Sequence, residues 1–202
     1  LDLWNKAAHG LPKKASLTYN LRSIFAAFHR IVKRKAFLEG RIHGFLNARS
    51  KFLLPSHKKC YFKHELYLND KKRVADFILQ REEGLPAMLI ELENPSVKMF
   101  KKNGEWTADA NHARNQITEW VRFIDENPAN TQGEFGFLKG PKERLVVIGR
   151  GLERLDRMIN SKYQDTVMWT YDLLAREAKD HWNHVIVEQY NLLGIVNPGT
   201  LK

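Results

Sequence analysis

Cysteine is almost missing from this 202-residue chain. Cys60 stands alone, so no intrachain disulfide can form and no cysteine cluster can hold zinc. Long apolar runs are missing as well. No stretch approaches the ~20 residues of a membrane-spanning helix, and the opening LDLWNKAAHGLPKKAS has no apolar region of a secretory signal. These absences predict a cytoplasmic protein with no membrane partner. Negative charge is the third scarcity. Asp and Glu number 23 against 33 Lys and Arg, leaving a net charge of +10, and that excess favours polyanions, nucleic acid before any other.

What the chain does have is material for a core. Hydrophobic residues make up 43% of it, enough for one well-packed domain and too many for global disorder. The first residue is Leu rather than Met, which reads as a piece of something longer. Residues 1–20 are weakly patterned and predict a lead-in or linker from an N-terminal region, with the domain proper over 21–202.

Along that domain, apolar residues recur at three and four from Leu21 (Ile24, Phe25, Phe28, Ile31, Val32), predicting an amphipathic helix that Gly40 and Gly44 divide. Three strands are expected at 60–68, 73–80 and 86–93, joined by NDKK and REEG turns. Residues 107–127 follow as a helix capped by Thr107, then a strand at 143–149, a helix in LERLDRMIN, a strand at 165–170 and a last helix from Tyr171. The order α-β-β-β-α-β-α-β-α predicts a mixed α/β sheet flanked by helices.

The stretch DFILQREEGLPAMLIELENP puts acids where a buried strand should have none. Strand side chains alternate, so Glu91 and Glu93 project side by side from one face, and a hairpin through REEG brings Asp76 alongside. Clustered carboxylates repel unless a proton, a base or a cation compensates. Oxygen ligands suit Mg²⁺ or Mn²⁺, and an acidic metal site on a basic protein suits phosphodiester cleavage. A solvated strand end, with the glutamates paired to Arg73 or Lys72, is the plainer alternative at this point.

An acid in one strand, a hairpin and an acid-x-residue ending the next apolar strand resembles the PD-(D/E)XK nucleases. The resemblance narrows: VADFIL, LIELENP, the basic loop with NGEWTADANHARNQITEW, LVVIGR and VMWTYDLLAREA occur in the order seen in the nuclease domain of the Shedu anti-phage defence proteins. It spans about residues 36–182. It implies a restriction-endonuclease-like fold with an α-β-β-β-α-β core, divalent-metal-dependent cleavage of DNA, and self-association as a dimer or tetramer. By the same resemblance, Asp76 and Glu91 are metal-binding acids and Gln116 orients a phosphate or a metal-bound water.

Position 93 departs from that pattern. The family pattern has Lys there and this chain has Glu93, which cannot donate hydrogen bonds. Glu93 then serves as a metal-site or general-base residue, with Lys98, Lys101 or Lys102 supplying a displaced cation; otherwise the centre is weakened and the domain binds DNA as a sensor or scaffold. Glu39, on a helix ahead of the sheet, is either an additional metal ligand or a solvated helix residue. His112 and Arg114, one turn before Gln116, are phosphate contacts or a solvent-facing edge. VIGRG lacks the lysine and serine of a P-loop, and WNHVIVEQYNL is either an oligomer contact or the last core helix.

Overall fold

A computed structural model describes residues 11–34, 39–151 and 166–192. Three helices come first: α1 (Leu11–Val32), α2 (Glu39–Ala48) and the single turn α3 (Ser50–Leu53). Then come the strands β1 (Lys59–Leu68), β2 (Lys71–Gln80) and β3 (Ala87–Leu92). Helix α4 (Ala108–Glu126), two short 3-10 segments (Pro128–Thr131 and Gly133–Lys139), β4 (Lys142–Val147), β5 (Val167–Trp169) and helix α5 (Tyr171–Leu192) complete the described chain.

The strands form one mixed sheet in the order β1-β2-β3-β4-β5. β1, β2 and β3 pair antiparallel, as the two turns dictate, while β3, β4 and β5 run parallel. Only two residues separate β1 from β2, and Asn69 takes the left-handed conformation (φ 52°) that so tight a hairpin requires. Parallel pairing of β3 with β4 needs a crossover, and α4 provides it.

Each face of the sheet is covered. On one face Leu66, Ile78, Leu89 and Val146 meet α4, whose Ala113, Ile117, Trp120 and Ile124 recur at four, three and four and are all buried. On the other, Phe77, Leu79, Ile90 and Leu145 pack against Phe28 of α1, Leu46 of α2 and Tyr171 of α5. Leu89 and Ile90 serve opposite cores because strand side chains alternate. The start of α4 is fixed by Thr107, whose hydroxyl oxygen accepts from the Ala110 N–H at 3.3 Å.

Two expectations about the N-terminal helices need correcting. The first helix already covers Leu11 to Val32 rather than beginning at Leu21. Gly40 and Gly44 do not divide it. Both lie inside α2, with open space where a Cβ would stand, and glycine in a helix interior costs only about 1 kcal/mol relative to alanine. The strand expected over 165–170 is confined to Val167–Trp169. The helix expected in LERLDRMIN lies outside the described residues. Among the described residues no helix is long and apolar enough to cross a membrane.

Candidate metal centre

The sheet forks between β2 and β3. Their pairing runs through Ile78↔Leu89 to Phe77↔Ile90 and stops. The next residues in register are Asp76 and Glu91. Asp76 does not continue the ladder; its Oδ2 accepts the backbone N–H of Leu92 at 2.9 Å, so a carboxylate occupies the fork. The neighbours of Asp76 show the same break. Ala75 and Phe77 belong to the cores on opposite faces, although residues two apart on a regular strand share a face.

β1 is broken at the same level. Its register passes from Phe62↔Phe77 to His64↔Ala75, leaving Lys63 across from Asp76 without a ladder partner. Lys63 has φ 52°, a left-handed conformation uncommon for a side-chain-bearing residue in mid-strand and typical of functional sites. The result is an ammonium aimed into the fork. Lys63 Nζ stands 2.5 Å from Asp76 Oδ1 and 3.6 Å from Glu39 Oε1.

Helix α2 brings two more groups. Glu39 and His43 are one turn apart and therefore share a helix face, with His43 Nδ1 3.5 Å from Glu39 Oε1. His43 is 2% exposed. Its ring meets Phe62 and Phe77 edge-on, with centroids 6.3 and 6.5 Å away. Its Nε2 lies 3.6 Å from Asp76 Oδ2, too far for a hydrogen bond, and has no other partner. Burial pulls the His43 pKa below the ordinary histidine value against the opposing pull of Asp76, so the ring is held neutral. One ligand atom each from Glu39, His43 and Asp76 lies within 4.8 Å of the others, the spacing of a potential metal centre.

The two glutamates of β3 and its end complete the acidic character. Glu91 is 5% exposed and its Oε2 has no hydrogen-bond partner. Burial first, then the charges of Asp76 and Glu93, push its pKa up to about 10, with Lys63 pulling weakly the other way. A buried carboxyl with an orphaned oxygen beside other acids either keeps its proton or meets a cation. That orphaned atom is the observation by which these residues fit a divalent cation. Glu93 is half-buried, and burial raises its pKa while His112 pulls it down and Asp109 and Asp76 push it further up.

The backbone of Glu93 is held from two sides. Its N–H donates to Val147 O at 2.8 Å, and its carbonyl accepts the Tyr171 hydroxyl at 2.7 Å. Just beyond β4, Gly149 has φ 71°, and a Cβ there would stand 2.5 Å from the Val97 carbonyl oxygen. Only glycine lets the chain after β4 pass so close to the chain after β3.

The structure thus gathers Asp76, Glu39 and His43 within ligand distance of one another, and sets Glu91 and Glu93 near enough to feel Asp76. His112 faces Glu93 closely enough to act on its charge. Gln116 and Arg114 are partly buried on α4. Lys98, Lys101 and Lys102 are exposed in the loop after β3, and Lys101 pairs with Glu105 at 3.2 Å. Lys63, not one of those three, is the ammonium in contact with Asp76. Sequence reasoning missed both His43 and Lys63. The E-x-x-x-H spacing of Glu39 and His43 was the available signal for the first, and the imperfect alternation of CYFKHELYL for the second.

Fold and site together define a mixed α/β domain in which a five-stranded sheet, open between two strands, gathers a carboxylate and histidine cluster that could hold a metal ion. The family model described as Shedu protein SduA, C-terminal, matches residues 36–175, well over half of the chain. The chain belongs to that family. Among curated proteins none matches it.

Proposed function

We propose that this chain is a divalent-metal-dependent DNA endonuclease of restriction-endonuclease-like fold, working in anti-phage defence. The observation that carries this reading is the fork itself: a buried Glu91 with an unpartnered oxygen beside Asp76, in a protein with a net charge of +10. Asp76, Glu91 and Glu39 hold Mg²⁺ or Mn²⁺. The bound cation supplies a water of lowered pKa and Lewis acidity at the phosphate.

The chain's own groups do the rest. Burial raises the proton affinity of Glu93, which suits it to take the proton of the attacking water. Lys63 takes the place of the lysine that position 93 lacks. It is 38% exposed on a flexible stem, so its ammonium can leave the carboxylates and hold a phosphate oxygen. Gln116 orients that phosphate, while Lys98, Lys101, Lys102, His112 and Arg114 contact the DNA backbone. Assembly as a dimer or tetramer is proposed from the family resemblance.

The test is cleavage of plasmid DNA in Mg²⁺ or Mn²⁺ by wild type, Glu91→Ala and Lys63→Ala, with DNA affinity measured alongside. Wild type should cut, and Glu91→Ala should not, with its affinity within about twofold because phosphate contacts carry it. Lys63→Ala should cut slowly. A wild type that binds DNA and cuts in neither metal would leave a DNA-binding sensor or scaffold as the function.

A further inference from the structure

A buried histidine normally uses both ring nitrogens, because an unpartnered polar atom inside a protein is costly. His43 does not use Nε2, although the side chain is 2% exposed and the ring is fixed edge-on to Phe62 and Phe77. The carboxylate oxygen facing it is Asp76 Oδ2 at 3.6 Å. On the far side of the ring, Nδ1 faces Glu39 Oε1 at 3.5 Å. The Nε2 separation exceeds a hydrogen bond and comes close to the ~3 Å between adjacent ligands of a small octahedral cation bound at ~2.1 Å, while Glu39 on Nδ1 is placed to orient the ring.

We propose that His43 is a direct ligand of the cation at the fork, so that the centre is a mixed histidine and carboxylate site selecting a first-row transition cation such as Mn²⁺ over Mg²⁺. Imidazole nitrogen is a poor partner for Mg²⁺, which prefers oxygen and holds its waters, and a better one for first-row transition cations, least for Mn²⁺ and more for Fe²⁺, Co²⁺ and Ni²⁺. Carboxylates alone would not make this distinction. Two features converge at Nε2, an orphaned nitrogen and the aspartate oxygen it faces, and a glutamate one helical turn back holds the other side of the ring.

The inference rests on the reading of the fork as a metal site, but not on the claim that the chain cuts DNA. Metal-free protein is titrated with MnCl₂ and followed by electron paramagnetic resonance. Pulsed spectra of the complex then report whether an imidazole nitrogen is bound to the manganese. Wild type should show nitrogen modulation, and MgCl₂ should displace the manganese only at a large excess.

His43→Gln keeps a polar tip of similar reach but offers no imidazole. It should lose the modulation and narrow the Mn²⁺ over Mg²⁺ preference by about tenfold or more, the scale on which altering a metal site changes affinity. Circular dichroism checks that variant, and His43→Asn is the second choice if it does not fold. Wild-type manganese spectra without nitrogen modulation would overturn the proposal, as would an unchanged metal preference in the variant. Nitrogen-bound manganese without any DNA cleavage would sink the nuclease reading and leave this one standing. Metal-dependent cleavage without nitrogen modulation would do the reverse.

Discussion

Replacing Glu91 with glutamine tests the electrostatics of the fork without removing a core side chain. The Glu91 carboxyl has its pKa raised from 4.5 to about 10 in the folded protein. An acid raised in this way is protonated when folded and ionised when unfolded throughout that window. The unfolded state then binds fewer protons, and stability falls as pH rises. Below pH 4.5 the effect is absent, because both states are protonated. Above it, the loss is about 1.4 kcal/mol per pH unit, reaching on the order of 3 kcal/mol at about pH 7.

The amide of Glu91→Gln does not titrate, so the variant lacks this slope. In metal-free buffer with chelator, urea unfolding of both proteins at pH of about 5.5 and about 7.5 should show wild type losing about 3 kcal/mol more than Glu91→Gln over that interval. For a chain of this size that corresponds to roughly 5–10 °C in Tm. The absolute offset between the two proteins matters less, since a buried amide brings its own unmet hydrogen bonds. Parallel pH curves for the two proteins would mean that Glu91 does not carry a proton in the folded state.

Gly149→Ala places a methyl group 2.5 Å from the Val97 carbonyl oxygen at a φ of 71°, and should cost about 2–4 kcal/mol in urea unfolding, where a change at an ordinary glycine would cost a fraction of that. Tyr171→Phe removes the hydroxyl that donates to the Glu93 carbonyl at 2.7 Å. It should fold, lose about 1–2 kcal/mol of stability by the same measurement, and slow DNA cleavage, because Glu93 loses one of its two anchors.

Much of the fold was legible because its signals are local. Alternation and turn residues marked β1, β2 and β3 to within about two residues at each end, and the Thr107 cap with apolar residues at three and four marked α4. The opposite facing of Leu89 and Ile90 followed from strand geometry alone. The α1 boundary did not, since Pro12 and the lysines after it give no apolar periodicity to read.

The site was legible only in part, for a physical reason. Glu91 and Glu93 were visible because charge in a buried strand is conspicuous. His43 looks like one more residue on an amphipathic helix until the sheet is placed against it and its nitrogen is found without a partner. Lys63 depends on a left-handed backbone in mid-strand that lysine does not favour, and the imperfect alternation of CYFKHELYL is its one trace in the sequence. The ammonium that contacts Asp76 comes from another strand of the same sheet, well before position 93 in the chain.

Whether the fork between β2 and β3 is a metal-dependent cleavage centre is decided by Asp76→Asn. Asparagine can still accept the Leu92 N–H through its amide oxygen, so the fork keeps its shape while losing its charge. The measurement is plasmid cleavage by wild type and Asp76→Asn, each in Mn²⁺, Mg²⁺ and chelator. A metal centre at the fork requires cutting by wild type only when metal is present, and none by the variant under any condition. Cutting by Asp76→Asn at the wild-type rate, or cutting by wild type in chelator, would show that the chemistry lies elsewhere.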